Sequence, residues 1–509
     1  MHVVDLLVAA VEERDQSLSL LGYDAPRYVV IHEAVRECIV NGLLPDGSFL
    51  PPLRALASAL DCSRPTLTRA IDMLKSEGYL ASRIGQGIRV QSTDNATFPS
   101  HEANDLLAQS ISSRGKSFAG STGRMHLPSG SSLAFRPGTP PLDLFPVERW
   151  RKITNDYWKS IKFSELAYSP SSGMNRLKEN LARYLAVARG VRCHPSQLII
   201  TSGSLQSIYQ SATALVDPGD HVYVEGSTFP NVLSVLTGMQ AHLHTLDAQN
   251  GQWVFPEALR SAKLVHLAPS ASYPMGTSMS LEKRKELLAL LAHSGTIVLE
   301  NDYEREFNPH ARSLPSLFEL DGGQRTIYLG TFNRLLHPSI RIGFMVVPPF
   351  LLPTMESLAL HSHRFVPPSL QWVMNKFLEK TYLHKHLEKA AAALTVRREV
   401  LSQQWHRYAG VLQPGVWELV LPENLGLSVV IRHRYATSDA SLVKAVLEHG
   451  MITNRLSLCY LNDPSPQGLI LGFSCIHERL LPAKVKTLIE ALLSWEQKQS
   501  HPKLATCLD

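Results

Sequence analysis

Cysteine is scarce and unpatterned in this chain. The 509 residues carry six, Cys38, Cys62, Cys193, Cys459, Cys475 and Cys507, and no two are spaced as CxxC. That argues against a zinc site or a disulfide framework and suits a reducing cytoplasm. Long apolar runs are also missing: no stretch of about 20 apolar residues offers a membrane span. The N-terminal run Met1-His-Val-Val-Asp-Leu-Leu-Val carries Asp5 and no basic flank. It reads as a short amphipathic extension over 1–24 and not as a signal peptide. No large charge excess is present either, and a net +5 says little by itself about nucleic acid.

What is there is an ordinary globular composition, 44% apolar and 19% charged, on a chain long enough for two or three domains. The distribution of charge is more telling than its sum. Residues 1–50 hold three basic and eight acidic side chains, whereas 51–91 hold six and three. A local basic patch on a balanced protein is the footprint of a DNA-reading module.

Between Pro26 and Val90 the pattern is helix, helix, turn, helix and two short strands. Tyr28, Val29, Ile31, Ala34, Val35 and Ile39 recur at helical spacing, and Leu53, Leu56, Ala57 and Leu60 mark a second helix. Ser63 is an N-cap with Pro65 in the first turn, and the third helix runs through Leu67, Ala70, Ile71 and Leu74 to Gly78. Tyr79–Arg83 and Ile88–Val90 are expected strands around a Gly85-Gln-Gly87 tip. This is a winged helix-turn-helix pattern over 25–91, whose third helix enters the major groove. The expected DNA contacts are Arg54, Ser63, Arg64, Thr66, Thr68 and Arg69, with Arg83 and Gln86 from the wing. Whether each arginine reads guanine or clamps phosphate stays open. Leu50-Pro-Pro-Leu-Arg, Ser63-Arg-Pro-Thr-Leu-Thr-Arg-Ala and Glu77-Gly-Tyr-Leu together resemble the DNA-binding domain of GntR-type bacterial regulators.

Residues 92–132, rich in Ser, Gly, Asn and Thr, read as a flexible tether with a short helix at Ala103–Ile111. Beyond it helices alternate with apolar strands such as Leu198–Thr201, His221–Val224 and Gly295–Glu300. That alternation predicts an α/β domain with a largely parallel sheet over 133–375, followed by a smaller α+β subdomain over 376–509. Within it stand Phe135-Arg-Pro-Gly, Tyr168-Ser-Pro-Ser-Ser-Gly173, Thr201-Ser-Gly-Ser204, Phe229, Tyr273-Pro-Met-Gly276, Glu300-Asn-Asp-Tyr303 and Tyr328-Leu-Gly-Thr-Phe-Asn-Arg334, then Arg341. The order resembles class I aminotransferases of the fold-type I, pyridoxal phosphate (PLP) dependent kind. A winged helix fused to such a domain resembles the MocR subfamily of GntR regulators, over nearly the whole chain.

The resemblance implies roles. Ser204 and Arg341 would hold the cofactor phosphate, Phe229 would stack on its ring, Asn301 would face the ring nitrogen and Tyr303 the ring oxygen. Arg334 would stand at the Schiff-base lysine. A guanidinium stays protonated and is a very poor nucleophile toward a carbonyl. No lysine lies between Lys285 and Lys376, so a register slip does not restore one. Asn301 replaces an aspartate whose charge keeps the pyridine nitrogen protonated, unless Glu300 or Asp302 takes over. Ile470 replaces an arginine that would fork onto a substrate carboxylate. Leu205 and Ala271 depart from the pattern as well.

The expected protein is therefore a cytoplasmic, sequence-specific regulator binding a double-stranded operator as a head-to-tail homodimer, with a small-molecule effector. No catalytic residue and no metal site are expected. PLP or a related phosphorylated ligand would be held noncovalently, if at all. The competing readings are a PLP-dependent transferase with a DNA-binding appendage and a purely structural dimeric DNA-binding protein.

Overall fold

The structure, a computed structural model, describes residues 3–20, 25–83, 87–91, 108–122, 134–246, 248–249, 252–307, 314–462 and 465–499. The chain divides into two compact units, Met1–Ile111 and Ser112–Asp509.

The first unit has helices at Val3–Leu20, Arg27–Val40, Leu53–Ala59 and Arg64–Ser76, then antiparallel strands Leu80–Arg83 and Gly87–Val90 with Leu80 opposite Val90. Ser63 caps the fourth helix by accepting the Thr66 N–H at 3.3 Å, which satisfies an otherwise orphaned donor. Leu67, Ala70, Ile71 and Leu74 are all buried against Val30, Ile31, Ala34 and Val35, so the polar face of that helix is left outward. The N-terminal helix adds Leu7 and Val11 to the same core, and Arg14 reaches Glu33 at 2.5 Å. The extension thus belongs to the packed unit.

The second unit is built on a seven-stranded sheet. In spatial order its strands are Leu198–Thr201, Gly343–Val346, Thr326–Thr331, Ile297–Asn301, Leu264–Leu267, His221–Glu225 and His242–Leu246. Only Gly343–Val346 runs against its neighbours. The central strands are buried throughout, as expected of a mainly parallel sheet covered on both faces. The C-terminal subdomain is an antiparallel sheet in the order Trp417–Val420, Ser428–His433, Gln467–Gly472 and Asn454–Arg455. The long helix Tyr382–Tyr408 and the terminal helix Leu481–Gln497 bury Leu394, Leu401, Leu488 and Leu492 in the shared core.

One expectation needs correcting. Part of the supposed tether is an ordered helix, Ser113–Ser121, capped by Ser112. Its Phe118 fills the space left by the missing side chain of Gly238, and the Ser117 hydroxyl donates to the Thr237 carbonyl at 2.6 Å. A Ser-rich composition misled because these serines bond to the neighbouring helix. Most of the short helix expected at Ala103–Ile111 lies outside the described residues.

Candidate functional site

In the first unit the fourth helix presents Arg64, Thr68 and Arg69 to solvent, with Arg54 exposed on the helix before it. Arg64, Pro65, Thr68, Arg69, Asp72, Met73 and Ser76 form one continuous outward face of the fourth helix. Asp72 pairs with Lys75 at 3.4 Å, and among the described residues no carboxylate pairs with Arg54, Arg64 or Arg69. The Ser63 and Thr66 hydroxyls bond to each other at 2.7 Å, so both serve the helix cap, as expected of Ser63. The Arg83 side chain and Gln86 lie outside the described residues.

In the second unit the strand ends assemble the residues picked out above. Gly203 precedes the helix Ser204–Leu215 with φ 132°, and a Cβ there would meet Asn333 Nδ2 at 2.5 Å and lie 3.9 Å from Arg341 Nη1. The bare backbone lets Asn333 and Arg341 approach the first N–H groups of that helix, where an anion is favoured. Ser204 opens the helix, and the Arg341 side chain is exposed.

The ring end is built differently from what the resemblance implies. Phe229 stacks on Tyr273 with centroids 3.8 Å apart and 17° between planes, and meets Tyr303 edge-on at 4.7 Å. Tyr303 donates its hydroxyl proton to the Ala271 carbonyl at 2.7 Å. Ile470 is fully buried in the same cluster with Tyr273 and Tyr303. Arg334 lies 5.1 Å from the centroids of both Phe229 and Tyr303. Its Nε donates to Glu304 Oε1 at 2.5 Å, and its Nη2 contacts the same oxygen. Burial works most strongly against the Arg334 charge, but the Glu304 carboxylate together with Tyr303 and Tyr273 outweighs it and holds the guanidinium above its usual range.

The floor beneath this cluster carries no settled charge. Asn301 Nδ2 is 3.4 Å from His266 Nε2, and both residues are buried. Among the described residues, Asn301 Oδ1 and His266 Nδ1 have no hydrogen-bond partner. Burial brings the His266 imidazole down to about 4. Glu225 accepts the Ala268 N–H at 2.6 Å, and burial pushes its carboxyl up to about 8 against the pull of that bond. Glu300 and Asp302 do not stand in for Asn301. Glu300 accepts the N–H groups of Leu317 and Phe318 at 3.0 and 2.9 Å, and Asp302 accepts the Tyr328 hydroxyl at 2.6 Å.

Sequence reasoning missed Glu225, His266 and Glu304, and took Tyr273 only as part of the Tyr273-Pro-Met-Gly276 landmark. Of the three, only Glu304 left a signal, since a buried arginine needs a carboxylate. Set against a covalently held PLP, the phosphate end fits. The rest does not: the 334 side chain is a paired guanidinium and one face of Phe229 is already covered. The cavity beside Arg334, Tyr303 and Tyr273 holds only about 30 Å³ and is not lined by Ser204, Asn301 or Arg341. That is room for a water or two, in a space apart from the phosphate end.

Residues 27–90 match the family of bacterial regulatory proteins, gntR family, and residues 135–460 match aminotransferase class I and II. The chain is 30% identical over 481 residues to the probable rhizopine catabolism regulatory protein MocR of Rhizobium meliloti, covering 94% of this chain and 96% of that one. It is 24% identical over 456 residues to the HTH-type pyridoxine biosynthesis transcriptional regulator PdxR of Corynebacterium glutamicum, covering 88% and 92%. Among solved structures, a kynurenine aminotransferase of Pyrococcus horikoshii superposes with a TM-score of 0.65 at 22% identity, over 80% of this chain and 96% of that one. That likeness is one of fold, and it is a fold in which PLP binding is possible. The chain belongs to the MocR-type regulators of the GntR family, helix-turn-helix transcriptional regulators fused to an aminotransferase class I and II domain.

Proposed function

We propose that this regulator reads a specific double-stranded operator through the Arg64–Ser76 helix, and that its aminotransferase-like domain is a dimerisation scaffold without catalytic activity. The DNA reading rests on a helix whose apolar face is wholly buried while Arg64, Thr68 and Arg69 face outward, with no carboxylate partner among the described residues. The loss of catalysis rests on Arg334 at the place the resemblance gives to the Schiff-base lysine. An arginine bound to Glu304 has no free amine to condense with an aldehyde.

Dimerisation is supported by an apolar stretch left open to solvent: Phe163 is 93% exposed, Leu166 60% and Tyr168 80%. Soluble monomers rarely leave such a patch uncovered. A cytoplasmic site of action suits a DNA operator, and among the described residues no helix is long and apolar enough to cross a membrane.

A second reading keeps a ligand. The Gly203–Ser204 helix start with Arg341 beside it, and an Asn301 Oδ1 that no described residue pairs, favour a phosphorylated molecule held without a covalent bond. PLP, if bound, would supply an electrophilic aldehyde, and these residues would hold its phosphate.

The deciding experiment is a gel shift on the cognate promoter. Arg64→Ala should lose specific binding while sedimentation shows an unchanged oligomer. Undiminished affinity in that variant would remove the recognition-helix assignment.

A further inference from the structure

We propose that the Arg334–Glu304 ion pair is an internal strut that holds the C-terminal subdomain on the large domain with no ligand present. This rests on the reading of a lysine-free site given above. Glu304 is shared between two partners from opposite sides. Its Oε1 takes Arg334, while its Oε2 accepts the Leu427 N–H at 3.2 Å from the C-terminal subdomain. Gly426 has no room for a side chain, because a Cβ would come within 2.9 Å of that same Oε2. Asn424, two residues earlier, donates to the carbonyls of Ser270 and Gly276 at 3.0 and 2.8 Å and to the Ser278 hydroxyl at 2.6 Å. Segment 422–428 is thus tied to the large domain at two points, one of them a hydrogen bond to the ion-paired Glu304 carboxylate.

Arg334 is fixed from its other sides. It lies over Phe229 and Tyr303, and a Cβ on Gly138 would meet its Nη1 at 2.9 Å. Arg334 is 17% exposed and Glu304 7%. Removing either partner strands the other as a buried charge, so the two act as one device.

Hydrogen exchange on the full-length protein, freed of PLP, tests this. Peptides spanning 422–430 should be protected in the wild type and exchange about tenfold faster in Arg334→Met and in Glu304→Gln. The double variant should be no worse than either single change, since the second removes a charge the first had stranded. Strand Thr326–Thr331 serves as the fold control and should keep its protection. Unchanged exchange at 422–430 in both single variants overturns the proposal. So does a wild type in which those peptides become protected only when PLP is added. Operator binding is measured on the same preparations. A wild type that fails to shift DNA removes the regulator reading and leaves the exchange result standing.

A separate observation carries a second inference. The Arg69 guanidinium sits 3.9 Å over the Tyr28 ring, at the start of the Arg27–Val40 helix. We infer that Tyr28 is a positioning residue that holds Arg69 against its own ring and presents the guanidinium to a backbone phosphate. Binding measured across salt concentrations separates the roles. Tyr28→Leu should weaken binding about two- to fivefold with its salt slope unchanged, and Tyr28→Phe should restore it. Arg69→Ala should lower the slope by about one. A Phe variant as weak as the Leu variant, or a Leu variant with full affinity, overturns the assignment.

Discussion

Replacing Glu225 by glutamine should change stability little near pH 5 and raise it markedly at pH 8. The carboxyl ionises near 4.5 in an open chain and, through burial, near 8 in the fold. Between those values the folded state holds a proton that the unfolded chain has released. Stability therefore falls as pH rises through the window, by 1.36 kcal/mol per pH unit. Across the whole window the loss is about 4–5 kcal/mol, fully present only above pH 8. Glutamine has nothing to release, so this slope disappears.

Its own cost is small. Oε1 still accepts the Ala268 N–H, and an NH₂ group takes the place of the Oε2–H, which has no partner among the described residues. Both leave a buried donor unsatisfied, so the penalty of about 1–3 kcal/mol is already present in the protonated wild type. The variant should therefore melt close to the wild type near pH 5 and well above it at pH 8. The difference should grow steadily with pH and reach several degrees, because about 1 kcal/mol shifts a large domain by some 2 °C. His266 and His433, both brought down to about 4 by burial, titrate in both proteins and cancel in the difference. A Glu225→Gln curve displaced downward by the same amount at all pH values refutes the reasoning, because it places an ionised carboxylate at that position.

Three further outcomes are expected. Mixing the protein with PLP and borohydride should give no reduced adduct at position 334, as read by peptide mass, since Arg334 offers no amine. Phe163→Ser with Leu166→Ser should shift sedimentation toward monomer while leaving the circular dichroism of the unit unchanged, and an intact oligomer would put the interface elsewhere. Asp439→Ala should lower the melting temperature markedly, because Asp439 is fully buried and accepts from Arg455 at 2.7 Å, the Ser457 N–H at 2.8 Å and the Ser457 hydroxyl at 2.8 Å. Leaving Arg455 and those donors unpaired costs about 3–5 kcal/mol.

Most of the fold was legible because its signals are local. The Ser63 cap, the spacing of Leu67, Ala70, Ile71 and Leu74, and the apolar strands Leu198–Thr201 and His221–Val224 depend on residues within a turn or two of one another. The helix at Ser113–Ser121 was not legible, since its stability comes from Gly238 and Thr237, more than a hundred positions away. The site divides the same way. Residue identities at 204, 229, 301, 303, 334 and 341 could be picked out in order along the chain. What those side chains touch could not, because Tyr273, Glu304 and Leu427 come from separate segments.

Arg334 shows why the unread part matters. A lysine at a strand end can be buried neutral, because its amine gives up a proton when desolvated. An arginine cannot, so burying one obliges the fold to supply a carboxylate close by. Glu304 meets that demand, and its second oxygen is then fixed in direction and takes the Leu427 N–H. Aromatic packing of Phe229 on Tyr273 closes one face of the ring that a flat ligand would have used. In such a setting Arg334→Lys alone is not expected to restore a reactive amine. The new ammonium would face the same Glu304 carboxylate, which favours the charged form. Recovering an amine that forms a borohydride-reducible adduct with PLP should require Glu304→Gln as well. A single Arg334→Lys variant that forms such an adduct would show that the ion pair, as drawn here, does not govern the site.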